Sequence, residues 1–143
     1  MGDGQLLIDN SAWSWLGAPS LPRERAEEVA KAVLKDQIVV CLPFLLEAGF
    51  SARSFADHVS RLDELQAMPS IGIDELVEGR ALEAQRDLAR SGHHRMPPTD
   101  ILVAALADRG RLGVLHYDYD YDLILEHTSL RFDSVWLAPR GTL

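Results

Sequence analysis

The apolar positions of this chain fall into short blocks that switch between unbroken runs and helical spacing. Gln5 to Ile8, Gln37 to Cys41 and Gly113 to His116 are compact apolar runs of strand length. Ser70 to Ile73 and Phe132 to Trp136 read as two further short strands. Between them the spacing turns helical. Ser11 to Leu16 opens a helix with Asn10 or Ser11 as cap, and Gly17 to Pro22 is a turn-rich loop. Arg23 to Lys35 carries its apolar face through Ala26, Val29, Ala30 and Val33. Pro43 suits the first position of a helix, where its missing N–H costs nothing. Phe44 to Leu65 holds two helices with a break near Ala52 to Ser54. Asp74 caps a long amphipathic helix to about Ala89, with Leu76, Ala81, Ala84 and Leu88 inward. After the loop Ser91 to Met96, Pro97-Pro98-Thr99 opens the helix that carries Asp100, and Tyr121 to Glu126 forms a short last helix. Strands alternating with helices predict an α/β fold, helices layered on a mostly parallel sheet. In such sheets ligands gather at the carboxyl ends of the strands.

Single acidic residues punctuate these apolar blocks. Asp9 closes Leu6-Leu7-Ile8, Glu47 follows Phe44-Leu45-Leu46, Asp100 precedes Ile101 to Ala107, and Asp118 follows Val114-Leu115-His116. Carboxylates beside apolar faces need compensation for their charge. One shared cation would compensate all four, and hard oxygen ligands favour magnesium or manganese. Each acid also has a simpler reading. Asp9 is a good helix cap, and Ser11 either caps or bonds a metal-bound water. Glu47 has Arg53 within reach for an ion pair, and Asp100 gains from the helix dipole in a first turn. Asp118-Tyr119-Asp120-Tyr121-Asp122 alternates acids as an EF-hand does. That loop requires Gly sixth and Glu twelfth, where Leu123 and Ser129 stand here. Asp118 is the first choice as ligand, Asp120 a second-metal or outer ligand, and Asp122 a cap or a solvent-facing residue. The chemistry that fits is phosphodiester hydrolysis by a metal-activated water. There is no Walker A motif for nucleotide-driven work.

Composition narrows this picture. The chain has 143 residues, which fits one domain over residues 1–143. The lone Cys41 leaves no disulfide framework and no cysteine-rich zinc site. No apolar stretch approaches the roughly 20 residues that span a bilayer, and the amino terminus lacks the marks of a leader. The expected location is cytoplasmic. A net charge of −8 argues against passive, charge-driven nucleic-acid binding. It is compatible with a nuclease whose metals neutralise its carboxylates, and with a basic protein partner.

Taken in order, Leu7-Ile8-Asp9-Asn10-Ser11-Ala12, Glu47 on its helix, Pro98-Thr99-Asp100-Ile101-Leu102-Val103-Ala104-Ala105, and Val114 to Ile124 resemble the PIN-domain ribonucleases. Within them the likeness is to the VapC toxins of bacterial toxin–antitoxin pairs, and it spans nearly the whole chain. The resemblance implies an α/β/α fold around a parallel sheet, usually dimeric. It also implies a magnesium- or manganese-dependent endoribonuclease and a VapB-type antitoxin that blocks the site. By that match Asp9, Glu47, Asp100 and Asp118 take the four acidic positions, with Asp120 auxiliary and Ser11 the small hydroxyl near the metal. The RNA target is not encoded in these motifs.

Arg95 is the leading RNA-contact residue, because a basic loop beside the acids can clamp a phosphate, although a solvated loop arginine is an equal reading. His93 and His94 read as surface, and His116 as shaping the end of its strand. Trp13 and Trp15 read as packing rather than base-stacking residues. Phe50, Phe55, Val59 and Leu62 fit either the core or an antitoxin groove. Two other phosphoryl-transfer classes fail. A receiver domain needs a late lysine, and the only lysines are Lys31 and Lys35. A haloacid-dehalogenase-like enzyme needs Asp-x-Asp where Asp9-Asn10-Ser11 stands. The competing class is a PIN-like module that binds RNA or protein without turnover.

Overall fold

In a computed structural model, which describes residues 4–143, the chain builds a four-stranded parallel sheet flanked by helices. Residues 1–3, part of the expected domain and of the leader reading, lie outside the described residues. The chain runs β1 (Leu6–Ile8), α1 (Asn10–Trp13), α2 (Arg23–Leu34), β2 (Ile38–Val39), α3 (Leu42–Phe50), α4 (Phe55–Gln66) and α5 (Glu75–Arg90). It continues through α6 (Pro98–Gly110), β3 (Gly113–His116), α7 (Asp120–His127) and β4 (Ser134–Trp136). The sheet order is β2-β1-β3-β4, with Leu7 opposite Val39 and Val114, and Leu115 opposite Val135. Leu7, Ile8, Ile38, Val39, Val114 and Leu115 are buried, as strands covered on both faces require.

The carboxyl ends of β1 and β3 lie side by side, since Ile8 pairs with Leu115 and the Asp9 N–H donates to the Leu115 carbonyl at 3.0 Å. Two residues 106 apart in sequence therefore start the site together. The close strand spacing needs Gly113, where a Cβ would stand 2.7 Å from Leu6 Cδ2 and 3.2 Å from the Asp133 carbonyl.

Several sequence expectations change in detail. Ser70 to Ile73 is not a strand: only Ser70 bridges to Val40, and the segment turns directly into α5. Pro43 sits one residue inside α3, whose cap is Cys41. Neither Asn10 nor Ser11 caps α1; Asp9 does, accepting from the Ser11 N–H at 3.0 Å. Leu76 is exposed, and Val77 takes the buried place instead, because the Asp74 cap aims Val77 inward. Ala30 is exposed as well; the stripe of α2 runs through Ala26, Val29 and Val33. Trp13 packs edge-on against Phe44 and Trp15 against Tyr117, the packing role expected of them. No helix among the described residues is long and apolar enough to cross a membrane.

Candidate functional site

Asp100 enters the site because Pro97 and Pro98 start α6 at a fixed point, which places it in the first turn with its side chain turned inward. It is 8% exposed, and its Oδ2 is buried with no hydrogen-bond partner among the described residues. Asp118 and Asp120 close in from the β3–α7 connection. One carboxylate oxygen from each of Asp100, Asp118 and Asp120 lies within 4.8 Å of the others. Burial, then the charges of Asp9, Asp118 and Asp120, push the Asp100 carboxyl up to about 8. Burial and the charge of Asp118 also raise Asp120.

The Asp118 loop is held from behind. The Asp118 N–H donates to His116 Nδ1 at 3.1 Å. That bond makes Nδ1 the acceptor, so the proton of the ring sits on Nε2, which faces Ser134 Oγ at 2.7 Å. The Ser134 hydroxyl in turn donates to Asp122 Oδ1 at 2.6 Å, and Trp136 Nε1 donates to Asp122 Oδ2 at 3.0 Å. Every donor in this chain has one acceptor. Burial accordingly lowers the His116 imidazole from its ordinary value. Asp122 is thus neither a cap nor a solvent-facing acid; it anchors the network that fixes the strand end. Asp118 Oδ1 also accepts from the Asp120 N–H at 2.9 Å, which orients both acids together.

Asp9 is braced from two sides. Tyr121 is fully buried and its hydroxyl donates to Asp9 Oδ1 at 2.7 Å, while Ser11 Oγ donates to Asp9 Oδ2 at 2.6 Å. Ser11 Oγ also accepts from the Tyr117 N–H at 2.9 Å. Ser11 thereby ties the end of β1 to the end of β3. Tyr121 was not legible as a site residue. Its only signal is an aromatic with a polar tip between two site acids, and such residues seek a partner when buried.

Glu47 stands apart from the three converging acids. It is exposed on α3 and has no ion pair with Arg53. It does face the same end of the sheet, since its charge and that of Asp9 both reach the Cys41 thiol. That thiol is pushed up to about 12, chiefly by burial, and is inert. Arg95 is exposed and lines a cleft with His93, Met96, Pro97 and Asp120, so the basic loop borders the acids. His93 stacks on His127 at 4.5 Å between centroids.

Oxygen donors alone, converging on one buried orphan acceptor at the carboxyl end of a parallel sheet, define a site suited to a small hard cation. The chain matches the PIN domain family over residues 6–124 and belongs to it. It is 34% identical over 139 residues to Ribonuclease VapC18 of Mycobacterium tuberculosis, covering 95% of this chain and 97% of that protein. Ribonuclease VapC51 of the same organism is 34% identical over 139 residues, covering 96% of each. Among solved structures, DNA-bound VapBC from Salmonella typhimurium superposes with a TM-score of 0.70 at 15% identity, covering 94% of this chain and 98% of that one. VapBC-5 from Mycobacterium tuberculosis gives 0.64 at 20% identity, covering 92% and 99%. These likenesses bear out the expected α/β/α fold with its parallel sheet.

Proposed function

We propose that this chain is a metal-dependent endoribonuclease of the VapC kind, the toxin of a toxin–antitoxin pair that acts in the cytoplasm. The observation that carries the reading is the buried, unpartnered Oδ2 of Asp100 beside Asp118 and Asp120. The charges that act on it are those of three further acids, so a bound positive charge is what the geometry calls for. Asp100, Asp118 and Asp120 would hold magnesium or manganese, with Asp9 held ready beside them and Glu47 at the outer edge. A divalent cation supplies a bound water of lowered pKa and stabilises charge on the attacking and leaving oxygens. The chain's own residues do the remaining work. Tyr121 and Ser11 hold Asp9 fixed, His116 positions Asp118, and Arg95 supplies a cation at the rim for a flanking phosphate.

The relatives named VapC act as ribonucleases, and the solved neighbours are complexes of VapC with VapB. A VapB-type antitoxin as partner agrees with the surface between α3 and α4. There Leu42, Leu46 and Phe50 are exposed around a groove, with Phe50 92% exposed. Of the four residues weighed for core or groove, Phe50 and Leu62 line this groove, and Phe55 and Val59 are exposed. An amphipathic helix of the partner fits such a groove.

The test is cleavage of cellular RNA by purified, antitoxin-free protein with manganese, with magnesium and with chelator, beside Asp100→Asn. Metal-dependent cutting that the variant loses is the expected result. Undiminished cutting by Asp100→Asn, or cutting indifferent to chelator, overturns the assignment.

A further inference from the structure

A cavity of about 580 Å³ opens beside the Asp118–Asp122 segment, lined by Tyr119 and Asp122 from it. Its apolar walls are Pro22, Trp136, Leu137 and Pro139, and Arg140 also lines it. Arg25 shapes it without filling it: its guanidinium donates to the Leu137 and Trp136 carbonyls at 2.9 and 3.3 Å and pairs with Glu28. Arg140 differs. It has no carboxylate partner among the described residues, and its guanidinium lies over the Tyr119 ring, 3.9 Å from the centroid. In a chain of net charge −8, a cation held on an aromatic face and left unpaired is a ready contact for an anion.

Position links the cavity to the metal centre. Tyr119 sits between Asp118 and Asp120 in sequence, so its backbone lies within one Cα step, roughly 3.8 Å, of both acids. Trp136 is fixed by its bond to Asp122, the anchor of the Asp118 loop. A phosphodiester at the acids thus has Tyr119, which lines the cavity, one residue along the chain from Asp118 and from Asp120. Aromatic faces take up an unstacked base, and a guanidinium can cover that base or hold its phosphate.

We propose that this cavity is a base-binding subsite, built from Tyr119, Trp136 and Arg140, that receives the nucleotide adjoining the cleaved bond in single-stranded RNA. The inference rests on the ribonuclease reading for its substrate. It assigns base preference to these residues, which the acids do not supply, since carboxylates and metal read only phosphate.

The test uses the full chain carrying Asp100→Asn, with the four single-base RNA hexamers as labelled probes and fluorescence anisotropy as readout. One base is expected to bind tightest. Tyr119→Ala and Arg140→Gln are each expected to weaken that probe about fivefold or more and to level the differences among bases. The same two substitutions, placed on the chain with Asp100 intact, shift or flatten the base preference at the cut sites of a randomised RNA pool. Manganese-induced thermal shifts should be retained in these variants, which separates loss of the subsite from loss of the metal site. Affinities for all four hexamers that both variants leave unchanged from the Asp100→Asn protein overturn the subsite, as does failure of the Asp100→Asn protein to bind any hexamer. Weakened hexamer binding together with no cutting by the intact chain leaves the subsite standing and removes the ribonuclease reading.

Discussion

Replacing Asp100 by Asn should make the metal-free protein more stable while abolishing its metal response. The carboxyl is raised from 3.8 to about 8 by burial and by the charges of Asp9, Asp118 and Asp120. A raised carboxyl means that the folded chain holds its proton more tightly than the unfolded chain does. The penalty is therefore absent below about pH 4, grows as pH rises, and levels off above about pH 8. At neutral pH the separation is about three pH units, which corresponds to roughly 4 kcal/mol as an upper figure. Asn has the same shape, carries no charge and brings an amide that can donate to the flanking carboxylates. In chelator at neutral pH, Asp100→Asn should melt higher by roughly 10 °C, and its advantage should shrink as pH falls toward 4. Urea unfolding of both proteins at several pH values measures this difference directly. Adding manganese should raise the wild-type midpoint and leave the variant unmoved. Equal midpoints in chelator at neutral pH, or a gap that widens on acidification, would refute the electrostatic account of the site.

Tyr121→Phe keeps the buried ring but leaves Asp9 Oδ1 without its donor; a loss of about 1–3 kcal/mol in urea unfolding is expected, with weaker RNA cleavage. Ser134→Ala removes the acceptor of His116 Nε2 and the donor to Asp122, and should cost about 1–3 kcal/mol. In the wild type, nitrogen NMR should find His116 neutral with its proton on Nε2. Because burial lowers this imidazole, the stability it contributes is present above its ordinary value of 6.5 and is lost as pH falls below it. A His116 that titrates above 6.5 contradicts the network. Gly113→Ala forces a Cβ against Leu6 and the Asp133 carbonyl and should destabilise by about 1–3 kcal/mol, read as a lower melting temperature.

The parts of the site that could be read in sequence were those whose signal is local. Asp9 and Asp118 end apolar runs, and Asp100 stands in the first turn of a helix announced by two prolines. Those positions fix where the backbone puts them. Asp120 joined Asp118 because the two are bonded through a turn only two residues long. The parts that were misread depend on distant partners. Asp122 looks like a surface acid until Ser134 and Trp136 reach it from β4, and Ser11's bond to the Tyr117 N–H, 106 residues away, has no local signal. Glu47 has an apolar neighbourhood in sequence, yet its side of α3 is exposed, since helical spacing names a face without saying what covers it. Leu76 and Ala30 were placed inward by the same incomplete rule. The short strands were overestimated where pairing partners run out, as at Ser70, which has only one bridge.

The bond from Tyr121 to Asp9 also governs timing. It joins residues 112 apart, one just after β1 and one in α7, and forms only after everything between them has been made. Contacts of such separation are slow to close and come late in synthesis. A nascent chain that has produced β1, β2 and α6 still has an unbraced Asp9 and no Asp118 loop. The first and last thirds of the polypeptide must meet before the acids are arranged, so a copy that stops short of Tyr121 lacks the assembled site. The order of the elements along the chain is in this sense a safety delay, which leaves the completed molecule as the form that needs restraint.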